Sequence, residues 1–212
     1  MFKIKNYSLL LLITLLLLQT FRGNAQMKKM DKMEMKERKM SNIPQSPEDI
    51  SPLLIGEKIP DASLKDNEGN AKDLSELIQK QPTILVFYRG GWCPYCTLQL
   101  SGLQEIKPWL DSMHIQLVAV STDSPDNLSK SMMKQKLDYT LLSDADTKLA
   151  QQFGIAYHAP KNYEKMLPTT TGGMDTDLLL PVPSVFVLDK KGMILFEYIN
   201  PDFKQRMDPQ LL

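Results

Sequence analysis

Two cysteines three positions apart, Cys93 and Cys96 in the run Trp92-Cys93-Pro94-Tyr95-Cys96, are the only cysteines in 212 residues. A small chain that used disulfides as staples would carry several, spread along its length. A cross-link over so short a loop removes little freedom from the unfolded chain, so stapling explains the spacing poorly. Reactivity explains it better. A permanently closed, inert disulfide is the competing structural reading. Zinc would need four ligands, and His114 and His158 stand 44 residues apart, outside finger spacing. Both histidines are read as surface or loop residues, and no metal or cofactor is expected.

The residues around the pair explain how it would be activated. Thr83 to Tyr88 (TILVFY) is a continuous β-branched and aromatic run, as in a strand buried on both faces. Gly90-Gly91 ends it. Leu103, Ile106, Leu110 and Met113 then recur at helical spacing, so Pro94 to about Ser112 reads as a helix, kinked at Pro108. Proline suits the first helical turn, where its missing N–H is no loss. The thiols therefore fall where unpaired backbone N–H groups and the helix dipole favour negative charge. A cysteine so placed has its pKa lowered from ~8.5 to between ~3.5 and ~7.5, and the thiolate is the attacking species.

Further along, Ile115 to Val120 reads as a strand, and Ser124-Pro125 opens a helix to about Lys136. Thr140 to Leu142 suggests a short strand and Thr147 to Phe153 a helix. Val185 to Leu188, the turn Asp189 to Gly192, and Met193 to Tyr198 form a hairpin. Upstream, Asp66 to Asn70 is a turn signal and Leu74 to Ile78 a short helix. Residues 157–180, with Pro160, Pro168 and Gly172-Gly173, read as one long loop. This alternation predicts the α/β class, a central mixed β-sheet flanked by helices.

The first quarter has a different character. Lys3 and Lys5 precede an apolar run from Leu9 to Leu18, and Gly23-Asn24-Ala25 supplies small residues. Basic, apolar and small segments in that order read as a secretory signal over residues 1–25. The run is about half of the ~20 residues a spanning helix needs, so no stable membrane insertion is expected after cleavage. Export to the periplasm or beyond follows as an expectation. Residues 26–52 carry Met27, Met30, Met33, Met35 and Met40 among charges. Thioethers suit Cu(I), but no His or Cys accompanies them, and a solvated linker is the simpler reading. The domain is expected over residues 53–212. The 25 basic and 25 acidic residues give no electrostatic reason to expect nucleic acid as a partner.

The segment FYRGGWCPYCTLQL (Phe87 to Leu100) resembles the peroxiredoxin superfamily that includes alkyl hydroperoxide reductase and thiol-specific antioxidant proteins. The resemblance continues through LVAVSTDSPDN (Leu117 to Asn127), LLSDADTKLAQQFGI (Leu141 to Ile155) and PVPSVFVLDKKGMI (Pro181 to Ile194). Trp92-Cys93-x-x-Cys96 also looks like thioredoxin, and Pro94-Tyr95 is similar to glutaredoxin. The resemblance implies a thioredoxin-like fold and reduction of hydroperoxides with a thioredoxin-type dithiol protein as donor. Cys96 falls at the family's peroxidatic cysteine and Cys93 at the place of its usual threonine. Arg89 stands where a proline is usual, and Pro183 where a later strand usually supplies an arginine. Pro183, in Val182-Pro183-Ser184, instead resembles the substrate-facing cis-proline of thioredoxins.

Two functional readings follow. As a peroxidase, Cys96 attacks the O–O bond, becomes a sulfenic acid, and condenses with Cys93. As a thiol-disulfide oxidoreductase acting on protein or small-molecule disulfides, Cys93 attacks and Cys96 resolves the mixed disulfide. A non-catalytic binding domain with 157–180 as its interface is the remaining alternative; it has no positive signal.

Overall fold

The computed structural model describes residues 43–212, which form one compact unit. The expected signal and all but the end of the linker lie outside the described residues. Among the described residues are nine strands: β1 (Ser63–Asp66), β2 (Ala71–Asp73), β3 (Thr83–Tyr88), β4 (Gln116–Ser121), β5 (Thr140–Ser143), β6 (Ala156–His158), β7 (Leu179–Pro181), β8 (Ser184–Leu188) and β9 (Ile194–Ile199). Five helices join them: α1 (Leu74–Lys80), α2 (Pro94–Ser112), α3 (Pro125–Gln135), α4 (Lys148–Gln152) and α5 (Leu167–Thr170).

Seven strands make one sheet in the order β2-β1-β5-β4-β3-β8-β9. β3, β4 and β5 run parallel at its centre, while β1, β2, β8 and β9 pair antiparallel on its flanks. The sheet is therefore mixed, as the alternation predicts.

β3 shows why its run has no polar alternation. Leu85 and Phe87 enter one core with Leu74 and Ile78 of α1 and Leu149 and Ala150 of α4. Ile84, Val86 and Tyr88 enter a second core with Leu100, Leu103 and Leu110 of α2 and Leu128 of α3. Every residue of β3 is buried, because helices cover both faces. Phe87, Phe153 and Phe186 form a ring cluster in the first core, with centroids 4.8 to 6.0 Å apart.

The local signals account for most helix ends. Asp73 caps α1 by accepting from the Glu76 N–H at 2.9 Å. α3 ends on Lys136 in the left-handed region. α2 continues through Pro108 to Ser112. Its buried residues include Leu100, Leu103 and Leu110, while Met113, expected on that face, is more than half exposed.

Two expectations are corrected and one is extended. The folded unit begins at Ile43 rather than residue 53: Ile43, Ile50 and Leu53 pack on the first core, and the Leu53 N–H donates to the Phe153 carbonyl. That approach is possible because residue 154 is glycine at φ +68°, where a Cβ would overlap the Ser51 carbonyl. Residues 157–180 are not one structureless loop. β6 and β7 pair antiparallel, α5 lies between them, and the Asp175 carboxylate accepts the Leu179 N–H at 3.0 Å. Finally, the turn at Asp66–Asn70 joins two strands, β1 and β2, that short polar sequence concealed. Among the described residues no helix is long and apolar enough to cross a membrane.

Candidate active site

The dithiol sits where β3 hands over to α2. β3 ends at Tyr88; Arg89, Gly90 and Gly91 make the turn, and the Cys93 N–H donates to the Gly90 carbonyl at 3.1 Å. Gly90 adopts φ +150°, and a side chain there would collide with the Trp92 indole. Cys93 is the residue preceding α2, Pro94 opens the helix, and Cys96 lies in its first turn.

The turn is braced from the loop after β4. The Gly91 N–H donates to Asp123 Oδ2 at 2.7 Å, and the Thr122 hydroxyl donates to the Arg89 carbonyl at 3.0 Å. The Ser143 hydroxyl in turn donates to the Asp123 carbonyl at 2.6 Å. The parallel β3–β4–β5 register thus sets the position of the loop carrying the cysteines. Burial pushes the Asp123 carboxyl up to about 6, against the bond from Gly91.

Both thiols are reduced and buried, Cys93 at 1% and Cys96 at 0% exposure. They differ in ionisation. The Cys96 thiol, donating toward the Cys93 sulfur, brings Cys93 down to about 6. Burial opposes that shift, while the Cys96 amide and the Arg89 and Arg206 charges add to it. Cys96 is pushed well above the ordinary thiol range by burial first, and then by the neighbouring Cys93. These opposed shifts favour negative charge at Cys93 over Cys96. The resemblance places the attacking sulfur at position 96.

Two arginines face this charge. Arg89 is 1% exposed, and its guanidinium lies among three rings: Phe203 at 4.3 Å, Tyr163 at 4.6 Å and Trp92 at 5.1 Å. Tyr163 comes from the segment between β6 and β7, and Phe203 from the segment after β9. Arg206 Nη2 stands 3.5 Å from Cys96 Sγ. Among the described residues, neither guanidinium has a carboxylate within 4.0 Å.

Pro183 is buried immediately before β8. Phe87 pairs with Ser184, so Pro183 falls level with Tyr88 at the same end of β3 as the dithiol. Its peptide bond is trans, which corrects the cis geometry implied by the thioredoxin resemblance. Its carbonyl accepts the Asn200 N–H at 3.5 Å, tying it to the other strand of the hairpin. His114 follows α2 in the left-handed region, and His158 ends β6 with its N–H on the Pro44 carbonyl. Neither is among the groups that shift the thiols.

Arg206, Phe203, Tyr163 and Asp123 were not singled out by the sequence. A lone arginine 110 residues beyond Cys96 carries no motif, and its approach depends on the course of the chain after β9.

The AhpC/TSA family profile matches residues 55–196. Peroxiredoxin Bcp of Escherichia coli K12 is 35% identical over 106 residues, covering 50% of this chain and 67% of that protein. The chloroplastic peroxiredoxin Q of Populus jackii is 28% identical over 145 residues, covering 68% and 60% of the two chains. Among solved structures, the peroxidoxin BcpB of Mycobacterium tuberculosis superposes with a TM-score of 0.59 at 25% identity, covering 69% of this chain and 86% of that one.

Proposed function

The chain belongs to the AhpC/TSA family, and on that premise we propose that it reduces hydroperoxides with Cys93 and Cys96 as its working pair. The observation that carries the reading is a buried dithiol at the start of α2, its first thiol brought down to about 6, with the Arg89 and Arg206 guanidiniums nearby and, among the described residues, no carboxylate within 4.0 Å of either.

The Cys93 thiolate attacks one peroxide oxygen. An S–O bond forms, the O–O bond breaks, and the departing alkoxide takes a proton from solvent to leave as an alcohol. Cys93 is then a sulfenic acid, oxidised by two electrons. Cys96 attacks that sulfur, closing a disulfide and releasing water. A dithiol protein of the thioredoxin type returns two electrons by exchange and reopens the pair. The arginines stabilise negative charge on sulfur and on the departing oxygen in a site that excludes water. Export accompanies this reading, supported by the basic, apolar and small order of residues 1–25. The donor then has to work in the same compartment.

A second reading, exchange with protein or small-molecule disulfides, is supported by the same ionisation order. An acidic first cysteine with a protonated second is what a mixed disulfide needs for attack and release. Pro183, level with Tyr88 beside the pair, would offer backbone to such a substrate.

Comparing Cys93→Ser and Cys96→Ser separates the two. Under the peroxidase reading, Cys96→Ser traps a peroxide-dependent sulfenic acid at position 93, and Cys93→Ser loses turnover. Disulfide reduction without any peroxide consumption in the unsubstituted chain would refute it in favour of exchange.

A further inference from the structure

Rings from two distant segments close over the residues that bracket the first cysteine. Trp92 and Tyr95 stand either side of Cys93-Pro94. Tyr163, from the segment between β6 and β7, lies 5.5 Å from the Trp92 ring, and Phe203, from the segment after β9, stands edge-on to Tyr95 at 5.7 Å. The same two rings meet on the Arg89 guanidinium, Phe203 at 4.3 Å and Tyr163 at 4.6 Å. Trp92, Tyr163 and Phe203 are half-buried, whereas Arg89 is buried, so the rings stand between the guanidinium and solvent.

This roof is held from below. Arg89 Nε is shielded from water with no acceptor, and the ring faces offset part of that desolvation. Each ring is carried by an anchored segment. Leu167, four residues beyond Tyr163, is buried in the first core, and Met207, four beyond Phe203, packs on the second. A substrate therefore has to pass the rings themselves. Both sulfurs are buried beneath them, and neither cysteine lines either main cleft. The cleft of about 270 Å³ lies beside Lys58, Ile78 and Lys190, toward the opposite end of β3. The cleft of about 170 Å³ lies between the Gly91-Trp92 turn and α3.

Hydrogen peroxide is little larger than water, and side-chain fluctuation suffices to admit it. A hydrocarbon group on the peroxide has to displace a ring, which breaks that ring's contact with Arg89. We infer that Tyr163 and Phe203, latched on Arg89, set the size of the substrate: the pair acts on hydrogen peroxide and excludes hydroperoxides that carry a bulky hydrocarbon group. With hydrogen peroxide the group leaving the attacked oxygen is hydroxide, which takes a proton and departs as water. The inference rests on the peroxidase reading and holds for attack by either sulfur, since neither is exposed. Phe203 lies beyond residues 55–196 shared with the family, so this part of the roof belongs to the chain's own C-terminal segment.

The test uses the full chain, reduced beforehand and mixed with hydrogen peroxide, tert-butyl hydroperoxide or cumene hydroperoxide. The thiols remaining after quenching give a second-order rate for each, without any donor protein. The rate is expected to fall in that order, with cumene hydroperoxide about tenfold or more slower than hydrogen peroxide. Phe203→Ala and Tyr163→Ala should each raise the ratio of the cumene hydroperoxide rate to the hydrogen peroxide rate about fivefold. Phe203→Tyr and Tyr163→Phe, which keep a ring in place, should hold the ratio at the parent value. A parent chain oxidised as fast by cumene hydroperoxide as by hydrogen peroxide overturns the inference and leaves the peroxidase reading standing. So does a ratio that stays fixed in both alanine variants, or one that rises as much in Gly154→Ala, a change in neither ring segment. A chain oxidised by none of the three peroxides refutes the peroxidase reading, and the inference with it.

Discussion

Replacing Cys96 with alanine should make Cys93 a weaker acid. The largest cause of the low Cys93 value, about 6, is the hydrogen bond it accepts from the Cys96 thiol. A hydrogen bond to a charged group is worth about 1.5 to 3 kcal/mol, and ~1.4 kcal/mol corresponds to one in pKa. A thiol is a weak donor, so the lower figure applies, and the midpoint should rise by about 1. At pH 7 the thiolate fraction would fall from about 90% to about 50%. Cys96→Ser keeps a donor in place and should titrate close to the parent. The measurement is ultraviolet thiolate absorbance against pH, checked by the pH dependence of alkylation at position 93. Identical curves for the alanine variant and the parent would remove the Cys96 thiol as the cause. A parent midpoint near that of a free thiol would remove the ionised Cys93 altogether.

Phe203→Ala removes the ring against Arg89 and Tyr95. Losing about 1 kcal/mol of cation–π and packing energy should raise the rate of a bulky thiol reagent at Cys93 about fivefold, through easier local opening; an unchanged rate would show that the segment after β9 does not guard the pair. Gly154→Ala should destabilise the domain by about 2 kcal/mol in urea unfolding, because the backbone is left-handed and the Ser51 carbonyl occupies the Cβ position; equal stability would mean residues 43–52 do not dock there. The buried Asp144 carboxyl is raised to about 7, chiefly by desolvation. Its folded pKa exceeds its unfolded value near ~3.9, so the stability it adds is fully present at low pH and is lost as pH rises through 7. Asp144→Asn should flatten the fall in thermal midpoint between about pH 5 and about pH 7.5, and an unaltered slope would contradict the burial argument.

What the sequence made legible followed from local physics. The unbroken apolar run of β3, the glycines after it, the proline opening α2 and the Asp189–Gly192 turn each specify a conformation without help from distant residues, and each is where it was expected. The cysteine pair was recognisable because spacing and helix start suffice to suggest acidity. The order of ionisation was not. It depends on how deeply each sulfur is buried and on two guanidiniums, one of which arrives from the far end of the chain. β1 alternates exposed and buried, but its second buried residue is the polar Asp66, and β2 is wholly exposed, so neither strand shows an apolar alternation in its sequence. The segment from 157 to 180 looked irregular from its prolines and glycines, yet Leu167, Leu179 and Leu180 anchor it in the first core. That burial is a tertiary effect, with no periodicity to announce it.

The position of β3 also governs when the protein can become active during its own synthesis. On one side this strand needs β4, about thirty residues further on; on the other it needs β8, about a hundred residues on. Pairing across so wide an interval closes late, since the entropy of the intervening chain must be surrendered first. Until then the pair stands without Phe203 or Arg206 beside it. The hydrogen bond between the two sulfurs is local and can form early, but the burial and the guanidinium of the C-terminal segment join it only after the last strands have been made.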